Sequence, residues 1–248
     1  MRKQKLYKGK IILTCDDNHN YWANGEKVEY SATGVTSIID KSSPLMGWVA
    51  KLMSLYLLER LKERPIDEET IRLAQKEYRT VSQREADIGT AIHEWIESWI
   101  KGENPEIPND ERIANGIISF LKWQKEVKAR FNKKDSERLV YSRKYGYAGT
   151  LDAIATIKKK KVIIDFKSSR DIYNEYRYQL AAYWQAYEEE NGKTFDHGLI
   201  IRFDKETGQF DPDKNILEIS RDEYEKDIKA FLGALEVKKR EKELNIKK

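Results

Sequence analysis

Cysteine is nearly absent: Cys15 stands alone in 248 residues. An iron-sulfur cluster needs about four cysteine ligands, so that class of cofactor is excluded. No run approaches the ~18 apolar residues of a membrane helix. The start, MRKQKLYKGK, is basic with no apolar segment of the required length behind it. No signal peptide is therefore read, and a soluble intracellular protein is expected. No Pro/Gly/Ser-rich linker divides the chain, no internal repeat stands out, and low complexity is confined to lysine clusters. The GxxxxGK[ST] phosphate loop is missing too, so the chain encodes no fused nucleotide-driven motor. Charge of neither sign dominates, since 46 basic against 42 acidic side chains leave a net of +4. Basic clusters at residues 158–161 and at Lys238, Lys239, Arg240, Lys242, Lys247 and Lys248 could neutralise phosphates. Runs of this kind are more often a solvated turn and a frayed tail.

Against these absences stands one concentrated arrangement of carboxylates. Gly149-Thr150-Leu151-Asp152 is followed thirteen positions later by Asp165-Phe166-Lys167 at the end of an apolar run. Residues 150–157 and 162–166 read as two strands joined by a charged turn. Pairing them as a hairpin brings Asp152 and Asp165 together at its open end. Residues i and i+2 of a strand share a face, so Asp165 and Lys167 lie on one side and Phe166 enters the opposite layer. Paired carboxylates bind a hard divalent cation, and a lysine beside them can stabilise charge on an attacked phosphate or help deprotonate a water. The same residues also read as two exposed aspartates and a solvated lysine.

Three further features fall at useful spacings. Gly89-Thr90-Ala91-Ile92-His93 opens an amphipathic stretch in which Gly89 and His93 share a helix face, so the imidazole could ligate a metal or contact phosphate. A lone histidine there is otherwise structural, and HEWIE lacks the second histidine of a zinc-protease helix. Gln179-Leu180-Ala181-Ala182-Tyr183 places Gln179 and Tyr183 on one face of a helix, where they could orient the lysine or bind a phosphate oxygen. Glu137 heads the preceding strand, as an accessory ligand or a strand-end charge.

GTAIH, GTLD, DFK and QLAAY, in this order, resemble the GxxxH, GxxD, DxK and QxxxY motifs of the PD-(D/E)XK nuclease superfamily, and within it the RecB-like exonuclease branch. The resemblance spans roughly residues 89–187. It implies an α/β fold with a restriction-endonuclease-like core: a mixed central β-sheet flanked by helices. It implies DNA cleavage with one or two Mg²⁺ or Mn²⁺ ions, by an exonuclease acting on single strands or DNA ends in replication, recombination or repair. A structure-specific endonuclease or a non-catalytic DNA-binding relative is the alternative. Carried onto this chain, His93, Asp152, Asp165 and the Phe166 carbonyl become metal ligands. Lys167 becomes the catalytic lysine, with Gln179 and Tyr183 as the supporting pair. Ser168 and Ser169 stand where many relatives have Thr followed by Gly or Ser, which keeps a hydroxyl. The single cysteine argues against the cluster-bearing subfamily, including the CRISPR-associated exonucleases. Residues near the motifs that could contact DNA are Arg84, Arg143, Lys144, Ser168, Arg170, Tyr173, Tyr176 and Arg177, arginine through phosphate and tyrosine by stacking on unpaired bases.

Outside the motifs, Tyr21 and Trp22 before Asn24-Gly25 read as a β-hairpin, and Thr33-Gly34-Val35-Thr36-Ser37-Ile38-Ile39 as a short element. This N-terminal form looks like that of phage and prophage members of the family, which fits a bacterial or phage-infected cytoplasm. Helices are expected over residues 46–62, 67–82, 84–101 and 110–131, with Trp48, Leu52, Leu55 and Leu58 as an apolar stripe on the first. A helix follows over residues 174–190, strands over 197–203 and 214–219 with Gly208 in the turn between them, and a charged helix over 221–241. The expected organisation is one compact domain: an N-terminal hairpin and helical elaboration over residues 1–83, packed on a nuclease core over residues 84–248.

Overall fold

The computed structural model describes residues 1–246, so Lys247 and Lys248 lie outside the described residues. In chain order it runs β1 (Arg2–Leu6), β2 (Ile11–Cys15), β3 (Tyr21–Ala23), β4 (Glu26–Val28), β5 (Tyr30–Ser31) and α1 (Ala32–Thr36). Next come α2 (Ser42–Leu61), α3 (Glu68–Ala74), α4 (Glu77–Lys101) and α5 (Glu111–Val127). The strand-rich centre holds β6 (Arg130–Phe131), β7 (Arg138–Ser142), β8 (Tyr147–Leu151), β9 (Ala153–Ile157) and β10 (Lys160–Lys167). The chain closes with α6 (Asn174–Asn191), β11 (His197–Arg202), α7 (Pro212–Asn215), β12 (Ile216–Ile219) and α8 (Arg221–Ile246).

The fold is mixed α/β. Its central sheet has the order β12-β11-β10-β9-β6, with β10 and β11 parallel and the other pairs antiparallel. Helix α6 makes the crossover between the parallel pair. A second sheet, β5-β8-β7, and an N-terminal antiparallel sheet, β1-β2-β3-β4, complete the strand content. Asn24 and Gly25 both take positive φ, 52° and 87°, as the two-residue turn between β3 and β4 requires.

Period-two alternation along β10 divides the core into two layers. Phe166 is buried among Phe120 and Trp123 of α5, Phe131 and Phe203, with ring centroids 5.4 to 6.4 Å from its own. Ile163, one of the residues on the opposite face, belongs to the cluster built on α6, with Leu180, Ala181, Tyr183 and Trp184. Fully burying side chains of this size stabilises by about 1.5–3 kcal/mol each. Helices therefore flank the central sheet on both faces.

Contacts divide the chain into two units, residues 1–38 with 92–248, and residues 39–91. The division differs from the expected boundary at residue 83: the N-terminal strands share the unit of the central sheet, with Leu6, Leu13, Cys15 and Tyr21 packed against Leu139 and Ala148. The other unit is helical. In it α2 buries none of its residues, and Leu55 and Leu58 of the expected stripe are exposed. Trp48 and Trp22 are each only partly buried.

Other boundaries moved for identifiable reasons. The helix expected to reach residue 131 ends at Val127, where Lys128 turns left-handed (φ 53°), and Arg130–Phe131 pairs with β9 instead. The strand expected from residue 214 begins at Ile216, because Asp211 caps a helical turn with Pro212 in its first turn. The helices expected to part near residue 83 part at Gln75 and Lys76, and α4 runs unbroken through Gly89. Strands β1 and β2 were not expected. No helix among the described residues is long and apolar enough to cross a membrane.

Candidate metal centre

A one-residue break between β8 and β9 makes the site. Asp152 lies in that break, at the junction of two sheets. The β9–β10 register pairs Ala153 with Ile164, so Asp152 falls opposite Asp165 one step further along. The β7–β8 register pairs Leu151 with Arg138, so Asp152 also falls opposite Glu137, whose N–H donates to the Asp152 carbonyl at 2.9 Å. Asp152 thus faces one acidic residue across each of two strand ladders.

His93 enters from α4, its Nδ1 3.9 Å from Asp152 Oδ2. One ligand atom from each of His93, Glu137 and Asp152 lies within 4.8 Å of the others. Asp165 is outside that trio. It is 1% exposed, its Oδ2 stands 2.7 Å from Lys167 Nζ, and neither of its oxygens has a well-aligned hydrogen-bond donor. The Phe166 N–H donates to Asp152 Oδ2 at 2.6 Å, and its ring stands edge-on to the imidazole at 6.4 Å.

Lys167 lies on the α6 face of β10, as strand alternation requires. Its Nζ donates to Gln179 Oε1 at 3.3 Å, and Gln179 Nε2 donates to the Tyr183 hydroxyl at 2.6 Å. Gly149 lies beneath this pair. A Cβ there would stand 2.5 Å from Tyr183 Cε1, so the tyrosine ring can occupy its place only against a glycine. Two motifs about thirty residues apart in the chain, GTLD and QLAAY, are complementary surfaces of one contact.

Burial and mutual repulsion dominate the electrostatics of the site. Burial, reinforced by the Asp152 charge, pushes Glu137 up to about 7. Burial and the Asp165 carboxylate likewise raise Asp152. Burial holds His93 below its usual value, leaving the neutral imidazole that can ligate. Burial alone would lower Lys167, but Asp165 and Asp152 more than offset it and hold the ammonium above its ordinary range. Oxygen-rich donors with one imidazole suit a divalent cation, and Asp165 Oδ1, buried and without a hydrogen-bond partner, fits the same demand. Glu137 adopts a left-handed backbone (φ 49°), which costs an ordinary residue about 1–3 kcal/mol and commonly marks functional sites. The conformation leaves its side chain bonded to Arg2, whose Nη1 donates to Oε2 at 2.6 Å.

The residues expected to contact DNA separate into groups. Tyr176 lies under Lys167, with Nζ 4.8 Å from its ring centroid, and meets exposed Tyr173 edge-on at 5.6 Å. Ser168 and exposed Arg170 follow directly, and the Arg170 carbonyl accepts from Arg202. Arg143 and Lys144 sit instead in the β7–β8 turn, at the opposite end of that hairpin from Glu137 and Asp152. Five residues of strand put that end roughly 16 Å away. Arg143 lies over the Tyr7 ring and Lys144 over Tyr145. The Arg177 guanidinium is committed to Asp227 and Glu223, at 3.1 Å each. Arg84 is exposed on α4, in the unit of residues 39–91.

The two basic clusters differ. Lys158 and Lys159 form the β9–β10 turn, both at positive φ. Lys238 donates to Ser37, while Lys239, Arg240 and Lys242 pair with Glu236, Glu243 and Glu29.

No protein-family profile matches the chain, and no curated protein matches it. Among solved structures it is similar to an alkaline exonuclease from Laribacter hongkongensis, at 15% identity over 88% of this chain and 93% of that one, with a TM-score of 0.36.

Proposed function

We propose that the protein is a metal-dependent deoxyribonuclease of the PD-(D/E)XK superfamily, RecB-like branch, acting as an exonuclease on single-stranded DNA or DNA ends. The observation that carries this reading is the meeting of His93, Glu137 and Asp152, with Asp165 opposite Asp152 across the β9–β10 ladder and paired with Lys167. A neutral imidazole, three carboxylates and an ammonium at the end of a buried sheet suit phosphodiester hydrolysis.

His93, Glu137 and Asp152 would hold Mg²⁺ or Mn²⁺, with Asp165 and the Phe166 carbonyl as further donors. When bound, the ion polarises the phosphate and lowers the pKa of a coordinated water. Lys167 serves as a fixed positive charge. Its ammonium is held protonated by Asp165, so it stabilises charge developing on the phosphate oxygens and is poorly suited to act as a base. Gln179 accepts from that ammonium and Tyr183 braces Gln179, so the lysine's reach is fixed before substrate arrives. Of the expected DNA contacts, Tyr173, Tyr176, Ser168 and Arg170 remain the ones adjoining the lysine.

Digestion of linear beside covalently closed circular single-stranded DNA, with Mg²⁺ or Mn²⁺, tests the assignment. The linear substrate alone should disappear, and EDTA or Asp165→Ala should prevent it. Nicked circles would replace the exonuclease with an endonuclease, and cleavage by Asp165→Ala at the wild-type rate would end the proposal.

A further inference from the structure

The lysine's support does not stop at the glutamine. Gln179 Nε2 has a second acceptor, the Thr33 hydroxyl at 3.3 Å, contributed by α1. An ammonium can only donate, so the amide atom facing Lys167 must be the carbonyl oxygen. The amide nitrogen is then turned to the two hydroxyls, Tyr183 from the same helix and Thr33 from residues 146 positions away. With either hydroxyl gone, the amide loses one of the contacts that oppose its rotation about the last side-chain bond.

Thr33 is well placed to hold such an orientation. Strand β5 runs parallel to β8, pairing Tyr30 with Tyr147 and Ser31 with Ala148, immediately before the GTLD motif. Ser31 caps α1 by accepting from the Gly34 N–H at 3.0 Å, and the Thr36 hydroxyl donates to the Thr33 carbonyl at 3.1 Å. Ala32 and Val35 are fully buried in the cluster that contains Tyr183. The side chains on either side of Thr33 along α1 are therefore anchored in the core, while Thr33 itself is exposed and directs its hydroxyl to Gln179.

We propose that Thr33 is a positioning residue of the active site: its hydroxyl fixes the Gln179 amide in the orientation that presents the carbonyl oxygen to Lys167. The assignment rests on the nuclease reading of Lys167. It makes the N-terminal segment part of the catalytic apparatus, because the element that pairs with β8 also sets the lysine's supporting amide.

The test compares wild type with Thr33→Val, which keeps the shape and removes the hydroxyl, and Thr33→Ser, which keeps the hydroxyl. For linear single-stranded DNA in Mg²⁺, Thr33→Val should lower kcat by about tenfold, the scale of one lost hydrogen bond, with KM and melting temperature unchanged. Thr33→Ser should restore kcat to within about twofold. The Gln179 side-chain amide signals in a ¹H–¹⁵N spectrum, assigned with Gln179→Glu, should shift in the valine variant and hold in the serine variant. Wild-type kcat in Thr33→Val, a loss appearing in KM instead, or a serine variant as impaired as valine would overturn the inference. If wild type and Lys167→Ala are equally inactive with metal, the nuclease reading itself fails. The amide signals then decide the positioning role alone, and unshifted signals in Thr33→Val would refute it.

Discussion

Glu137 shows how a single residue can be hidden in sequence and exposed by geometry. At the head of a strand it reads equally as a ligand or as an end charge. The structure gives it a left-handed backbone, a place opposite Asp152 and an arginine partner. Its carboxyl is raised to about 7 by burial, so in the metal-free protein it favours folding when protonated. That contribution is complete below the unfolded value near 4.5 and is lost as pH rises through about 7. A bound cation reverses the preference, because it favours the ionised form. The rise in melting temperature produced by a fixed Mn²⁺ concentration should therefore grow between pH 5 and pH 8, and thermal scans across that range check it. In Glu137→Gln the growth should be visibly smaller. A rise independent of pH in both proteins would show that these carboxylates do not meet the ion.

Elements explain which parts of the site were legible. The Asp165 and Lys167 pair needed only the two-residue period of a strand, and the Gln179 and Tyr183 pair only the helical i,i+4 relation. Both are local, and both stand in the structure where the pattern put them. The β9–β10 hairpin followed from its charged turn. What was not legible depends on contacts between distant segments. Gln4 meets Leu139 and Arg2 meets Glu137, which ties β1 to β7, yet RKQKL carries almost no apolar alternation of its own. The same holds for Arg177 and Arg143, which look like phosphate ligands in a sequence and are engaged by Asp227, Glu223 and Tyr7 in the fold. Gly149 belongs to this scale too, since its role is to let α6 approach β8. Gly149→Ala should force Tyr183 aside and destabilise the protein by about 1–3 kcal/mol, as overpacked cores do. Chemical denaturation measures the loss. Because Tyr183 braces Gln179, cleavage should fall by more than the folded fraction accounts for.

For the whole molecule, the chain presents no strong net charge, and of its basic clusters Lys239, Arg240 and Lys242 make surface ion pairs. Beside Lys167, Tyr176 and exposed Tyr173 extend the site in an aromatic direction. A mixed sheet flanked by helices was anticipated in outline from four short motifs, whereas the junction of two sheets at Asp152 was not, because residues 150–157 read as one strand. Residues 1–38 fall in one unit with residues 92–248, and residues 39–91 form another, helical one. The central claim is that the cluster around Asp152 is a metal centre that hydrolyses DNA. Its most direct test is cleavage of a labelled linear single-stranded DNA over a range of Mg²⁺ concentrations, wild type beside Asp152→Asn. The account predicts saturable Mg²⁺-dependent cleavage by wild type, reduced at least about a thousandfold in the variant, as loss of an essential catalytic group commonly is. Equal cleavage by the two proteins, or cleavage indifferent to Mg²⁺, would contradict it.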